Sequence, residues 1–255
     1  MHIHYERRGS GPCLLLLHGI GSNSRSFRHQ LADLSDSYMV VAWDAPGYGR
    51  SDDPVVPFSL ADLADRAASL LDELAVERAH VLGVSMGGVI AQLVYHRHRT
   101  RVQSLVLADT NPGGGGLPEP ERSARVQARL EALERLGSRG MASVRAPVLL
   151  RPDAPPDILA EVTEIMAEVR PAGYRAAAIA LGQTDLTALL NGIDVPTLVI
   201  HGEHDRVVPP ETGRFLAENI PGARFILIPQ AGHVANQEQP AAFNAAVREF
   251  LATLN

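Results

Sequence analysis

The stretch AHVLGVSMGGVIAQL, Ala79 to Leu93, opens as a buried-strand run, passes through Gly83, Ser85, Gly87 and Gly88, and continues in residues that suit a helix. Gly83-Val84-Ser85-Met86-Gly87 fits G-x-S-x-G, in which a tight strand-to-helix turn holds a serine in strained backbone geometry and small neighbours relieve the crowding. Such a turn exposes the hydroxyl. It also sets it at a helix N-terminus, where free N–H groups and the helix dipole favour negative charge developing on a carbonyl oxygen under attack.

The rest of the chain supplies the strand-and-helix alternation that this turn requires. Short β-branched or leucine-rich runs predict strands over Ile3–Arg8, Cys13–His18, Tyr38–Asp44, Ala79–Val84, Val102–Asp109, Pro196–Gly202 and Arg224–Pro229. Between them, Leu60, Leu63, Ala67, Leu70, Leu71 and Leu74 share one helical face, with Ser59 as cap and Asp62 three residues later. The closing segment from Pro240 puts Phe243, Val247, Phe250 and Leu254 on one stripe. The fold class that follows is α/β, with a mostly parallel central sheet flanked by helices.

The alternation breaks once, from about Asn111 to about Asn191, in a stretch opened by NPGGGGLPEPE that reads as helices without strands. ERSARVQARLEALERL, with Val126, Leu130 and Leu133 on one face, and PDILAEVTEIMAEV are candidate helices. The region is read as a helical lid inserted in a single core: residues 1–110 and 192–255 form the core and 111–191 the cap. Gly113–Gly116 reads as a flexible connection into it.

Composition narrows the function. A chain of 255 residues, 45% hydrophobic, can bury one substantial core. A formal charge of −6 offers no basic field for nucleic acid or an anionic membrane. No apolar run approaches the ~20 residues that span a bilayer. Cys13 is the only cysteine, which rules out an intrachain disulfide, and MHIHYERRGSG lacks the apolar run of a secretory signal, so the expected location is the cytoplasm. The oligomeric state is not legible.

A serine is a poor nucleophile at neutral pH and needs a base, and the base needs a group that fixes its tautomer. His233, in PQAGHVANQEQP, follows the last strand, and Asp205, in HGEHDRVVPP, follows the strand before it. The order serine, acid, histidine is the one expected on this architecture. Asp109 also ends a strand and competes for the acid role, with Asp205 favoured because its turn can approach His233. An oxyanion needs two backbone donors. Met86 supplies one, and Gly19 and Gly21 in LLLLHGIGSNS let the chain turn and aim the Ile20 N–H as the other.

The motifs HGIG at His18–Gly21, DAPGYGRSD at Asp44–Asp52, GVSMGG at Gly83–Gly88, GEHDRVVP at Gly202–Pro209 and AGH at Ala231–His233 together resemble an α/β-hydrolase-fold enzyme over the full chain. The resemblance implies Ser85 as nucleophile, Asp205 as acid, His233 as base, Ile20 and Met86 as oxyanion donors, and no cofactor. VRPAGYRAAAIAL followed by DVPTLVIHGEHD is similar to bacterial carboxylesterases and 3-oxoadipate enol-lactonases. This implies a small-molecule ester or lactone substrate and an acyl-enzyme. The alternative within the fold is carbon–carbon bond hydrolysis of the meta-cleavage type, whose enzymes typically carry a longer loop such as HGGGPG. SMGG also resembles cofactor-free haloperoxidases.

Three further patterns compete for a role. GIGSNS after a strand, with Asp44 ending the next strand, has the outline of a dinucleotide site, although Ser24 stands where a third glycine belongs. His201, His204 and Asp205 in HGEHD could gather round a metal, but the H-E-x-x-H spacing is missing. Arg122, Arg125, Arg129, Arg135, Arg139 and Arg145 in the lid, with Arg170 and Arg175, form a mostly solvated face from which one could bind a substrate carboxylate. The sequence does not choose among them. Phe27, Trp43, Tyr48 and Phe58 are assigned to packing.

Overall fold

Leu14, Leu15, Leu16 and Leu17 have no solvent exposure, which a strand achieves only when both faces of its sheet are covered. Cys13, Leu15 and Leu17 enter one apolar layer, and Leu14 and Leu16 the opposite one, as a two-residue period demands. The computed structural model describes residues 1–254. Among them are seven strands: β1 (Tyr5–Arg8), β2 (Cys13–Leu17), β3 (Met39–Trp43), β4 (Ala79–Val84), β5 (Val102–Ala108), β6 (Thr197–Gly202) and β7 (Arg224–Ile228). They form one sheet in the order β1-β3-β2-β4-β5-β6-β7, parallel throughout except where β1 runs antiparallel to β3. All seven expected strands form, with end residues such as Ile3, His18 and Asp109 falling outside the ladders.

The helices are α1 (Arg28–Asp33), α2 (Leu60–Glu73), α3 (Met86–Arg97), α4 (Glu121–Leu149), α5 (Pro156–Ala167), α6 (Pro171–Gln183), α7 (Pro210–Asn219), α8 (Ala235–Glu238) and α9 (Pro240–Ala252). Ser59 and Asp62 form the expected capping box on α2. Phe243, Val247 and Phe250 of α9 are buried with Leu14, Leu16 and Phe27, while α2 and α3 fill the layer on the other face with Trp43. None of these helices is long and apolar enough to cross a membrane.

Helices α4 to α6 are inserted between β5 and β6 with no strand among them. The expected first lid helix ends at Leu136. There the chain does leave helical geometry, at Gly137 (φ 65°, ψ 178°), before resuming to Leu149. The insertion has its own apolar cluster, in which Leu133, Met141 and Leu149 meet Val162, Met166 and Tyr174. It docks through Ala177, Ala180 and Leu181 of α6, which join the layer containing α3. Arg170 reinforces the seam by donating to the Gly47, Tyr48 and Ser51 carbonyl oxygens.

The glycine run is not the free connection its composition suggests. The Gly114 N–H donates to the Leu181 carbonyl and the Gly115 N–H to that of Thr184, and a Cβ at Gly113 would collide with the Thr184 carbonyl. Close approach to α6 is what requires glycine here, a constraint that composition cannot reveal.

The same constraint is stronger in α3. A Cβ at Gly87 would fall far inside contact distance of the Leu17 carbonyl at the end of β2. Gly87→Ala is therefore expected to destabilise by about 2 kcal/mol or more, despite a helix-propensity gain of about 1 kcal/mol. Ser59→Ala, which removes the α2 cap, should cost about 1 kcal/mol. Urea unfolding of both variants checks the ranking, and a Gly87→Ala protein as stable as wild type would show that α3 can move off β2.

Candidate active site

Ser85 sits between β4 and α3 with φ 55° and ψ −120°, a conformation that side chains with a Cβ rarely adopt. Its surroundings hold it there. The Ser85 N–H donates to the Ala108 carbonyl (2.9 Å), and its own carbonyl accepts from the Gly88 N–H (2.9 Å) and the Thr110 hydroxyl (2.6 Å). Gly83 makes the turn possible, because a Cβ there would strike the Gly87 carbonyl. The result is a half-buried serine whose Oγ points away from the sheet to the imidazole of His233, 2.9 Å from Nε2.

His233 lies on the loop after β7, and its Nδ1 is 2.8 Å from Asp205 Oδ2. Both residues are almost fully buried. Asp205 follows β6, and its other oxygen accepts from the Val207 (2.8 Å) and Val208 (2.9 Å) N–H groups, which orients the carboxylate. The loop of His233 is pinned in turn: the His233 N–H donates to the Leu149 carbonyl at the end of α4 (2.7 Å), and buried Glu238 accepts from the Gly232 and Arg151 N–H groups. Three side chains spread over 149 positions of the chain thus form one continuous hydrogen-bonded line.

Asp109 is close by but faces other partners. Its Oδ1 accepts from the Gly202 N–H (2.8 Å) and its Oδ2 from the Ala235 N–H (3.0 Å), which ties the end of β6 to the start of α8. Burial, and secondly the charge of Asp205, pushes Asp109 up to about 7. Of the residues raised as metal ligands, His201 and Asp205 come together with Asp109, all three buried, whereas His204 lies apart beside Glu203. The carboxylate oxygens of Asp109 and Asp205 are already engaged by backbone N–H groups and by His233.

The loop after β2 closes the other side. His18 is fully buried, with Nδ1 2.8 Å from the Gly19 carbonyl and Nε2 accepting from the Ala45 N–H (3.0 Å). That pairing puts the proton on Nδ1 and braces the turn at Gly19–Gly21. Burial keeps this imidazole below its ordinary range. Neither the Ile20 nor the Met86 N–H is hydrogen-bonded to any described residue. Asp44, the acid of the dinucleotide outline, accepts from the Ser24 (2.7 Å) and Arg50 (2.9 Å) N–H groups and so holds this loop instead of facing a ligand.

A pocket partly open to solvent lies over Ser85 and His233. Ile20, Leu149, Val162, Ile165 and Met166 make most of its wall apolar, and Tyr174, Arg129 and Arg145 enter it from the lid. Tyr174 and the choice of arginines escaped the sequence, because which face of a lid helix looks inward depends on the break at Gly137 and the docking of α6.

His201 has no exposed surface, and the Asp205 carboxylate lies 4.0 Å from its imidazole. Burial lowers it from 6.5 to about 4, so between those values the unfolded chain binds a proton that the folded chain refuses. Its contribution is present above pH 6.5 and is lost as the pH falls toward 4, by roughly 3 kcal/mol at most. Asp109, raised in the folded state, acts with the opposite sign in this window, so the difference between wild type and His201→Leu isolates the histidine. Urea unfolding from pH 7 to 4 should show wild type losing stability relative to the variant, and parallel curves would contradict a neutral, buried His201.

Residues 12–240 match the family model described as alpha/beta hydrolase fold. Over 247 residues the chain is 30% identical to 3-oxoadipate enol-lactonase 2 of Acinetobacter baylyi, covering 96% of this chain and 90% of the relative. It is 31% identical over 258 residues to the pimeloyl-[acyl-carrier protein] methyl ester esterase of Chromobacterium violaceum, covering 99% of each. Its structure is similar to that of a malate-bound thermophilic esterase from Thermogutta terrifontis, with a TM-score of 0.92, 29% identity and coverage of 99% of this chain and 93% of that one. With the serine turn, the sheet order and the helical insertion in place, the chain belongs to the α/β-hydrolase fold family.

Proposed function

We propose that the protein is a serine hydrolase that cleaves a carboxylic ester or lactone through an acyl-enzyme intermediate. The observation that carries the reading is the line Ser85 Oγ to His233 Nε2 (2.9 Å) and His233 Nδ1 to Asp205 Oδ2 (2.8 Å), within the reach that proton transfer needs. The unengaged Ile20 and Met86 N–H groups support an oxyanion site beside Ser85. A lactonase and a methyl ester esterase among the relatives point to the same type of bond.

In this reading Ser85 attacks the acyl carbon while His233 takes its proton at Nε2. Asp205 holds the Nδ1 proton in place and stabilises the imidazolium. The oxyanion rests against Ile20 and Met86, and His233 returns its proton to the departing alkoxide. For a lactone that alkoxide stays tethered to the acyl group. Water, deprotonated by His233, then releases the acid and restores Ser85. Residues 111–191 act as a cap over the core of residues 1–110 and 192–255, covering the acyl chain with the apolar wall.

A fluorophosphonate probe should label the wild-type protein and leave Ser85→Ala unlabelled, and an unlabelled wild type would overturn the reading. Steady-state hydrolysis of a short nitrophenyl ester should show Asp205→Ala lowering kcat by about 10³–10⁴-fold. Asp109→Ala should act mainly on stability, because that carboxylate binds backbone N–H groups and not the imidazole. The reverse ranking would reassign the acid.

A further inference from the structure

The lid arginines sort into two groups by their partners. Arg122 pairs with Glu119, Arg125 with Glu121, Arg139 with Glu164 and Arg175 with Glu134, while Arg170 is held by three carbonyl oxygens. Arg135 is exposed and has no partner among the described residues; the guanidinium groups of Arg129 and Arg145 likewise have no ion pair or hydrogen bond to any described residue, and of the lid arginines these two line the pocket over Ser85. The Nε of Arg129 is buried with no acceptor in reach. No aspartate or glutamate lines this pocket, so two cations face it and no anion does.

This is an unusual place to leave a guanidinium unpaired. Both residues are half-buried. A guanidinium does not shed its proton as a buried lysine or histidine does, and a charge facing an apolar wall without a partner is costly, so such groups are ordinarily paired. Burial and the neighbouring charge of Arg145 both push Arg129 below its ordinary value, the direction expected of a cation lacking a counterion. The chain also takes a specific shape to bring the two together. Sixteen positions along an unbroken helix would separate them by about 24 Å, and the break at Gly137 folds α4 so that both reach one pocket.

We infer that Arg129 and Arg145 form an anion subsite beside Ser85 and that the substrate is an ester or lactone bearing a free carboxylate, which the two guanidinium groups hold by charge-assisted hydrogen bonds. The inference rests on the ester-or-lactone reading above for the reacting bond. The carboxylate sits on the acyl portion or on the alcohol portion. The apolar wall packs the carbons between it and the acyl carbon at Ser85, so the pair fixes which end of the substrate enters first.

The test compares kcat/KM for monomethyl glutarate with dimethyl glutarate, which places the charge on the acyl side, and for 4-acetoxybutanoate with butyl acetate, which places it on the alcohol side. In wild type one anionic ester should exceed its neutral partner by 10-fold or more. Arg129→Met and Arg145→Met should each lower that ratio at least 10-fold through KM, Arg129→Lys should retain part of it, and Arg125→Met, whose arginine is paired on the surface, should leave it unchanged. Calorimetric titration of Ser85→Ala with glutarate reads the subsite without chemistry, and binding should weaken at least 10-fold when Arg129→Met is added. A probe-labelled wild type with no anionic preference in either pair, or a ratio indifferent to both arginines, overturns the subsite alone. Absence of labelling and of all ester turnover, with arginine-dependent glutarate binding retained, overturns the hydrolase reading instead.

Discussion

The backbone of Ser85 is the constraint to which the rest of the structure is fitted. A left-handed conformation at a residue with a Cβ persists only where its surroundings over-determine it. Here β5 supplies the Ala108 carbonyl, Thr110 caps the Ser85 carbonyl, and α3 starts so close to β2 that only glycine fits at position 87. Buried β2, β4 and β5 are rigid enough to carry that strain because apolar layers cover both of their faces. The hydroxyl is therefore placed by the centre of the sheet, not by a mobile loop.

The two partners of Ser85 come from loops, which would be a weak basis for sub-ångström geometry if the loops were free. They are not. Asp109 joins the end of β6 to the start of α8 through two backbone N–H groups, holding together the segments on either side of Asp205 and His233. Glu238 and the Leu149 carbonyl pin the residues around His233 to the end of α4. This last contact makes the helical insertion part of the support for the proposed base.

Charge is distributed unevenly over the same scaffold. Four of the eight lid arginines meet glutamates at the surface, where pairing contributes little to stability. Arg129 and Arg145 instead face an apolar pocket whose walls hold no acid. A low-dielectric wall strengthens whatever field crosses it, so a molecule approaching Ser85 meets these two charges with little screening.

Much of this was legible before any coordinates. Strand periodicity located all seven strands, Ser59 and Asp62 marked the start of α2, and G-x-S-x-G, GEHD and AGH singled out the three side chains that converge, because local patterns report local geometry. The sequence favoured Asp205 over Asp109 on the strength of its turn; in the structure His233 Nδ1 lies 2.8 Å from Asp205 Oδ2, while Asp109 accepts from backbone N–H groups. The glycine run misled because its role is contact with α6, which lies some 70 positions away. His18, Tyr174 and the inward pair of arginines were hidden for the same reason. The sequence alone determined the sheet, the serine turn and the chemical types at hand. Only the tertiary structure decided which of eight arginines face the serine and what the glycine run touches, since those outcomes depend on how distant segments pack and on a single helix break at Gly137.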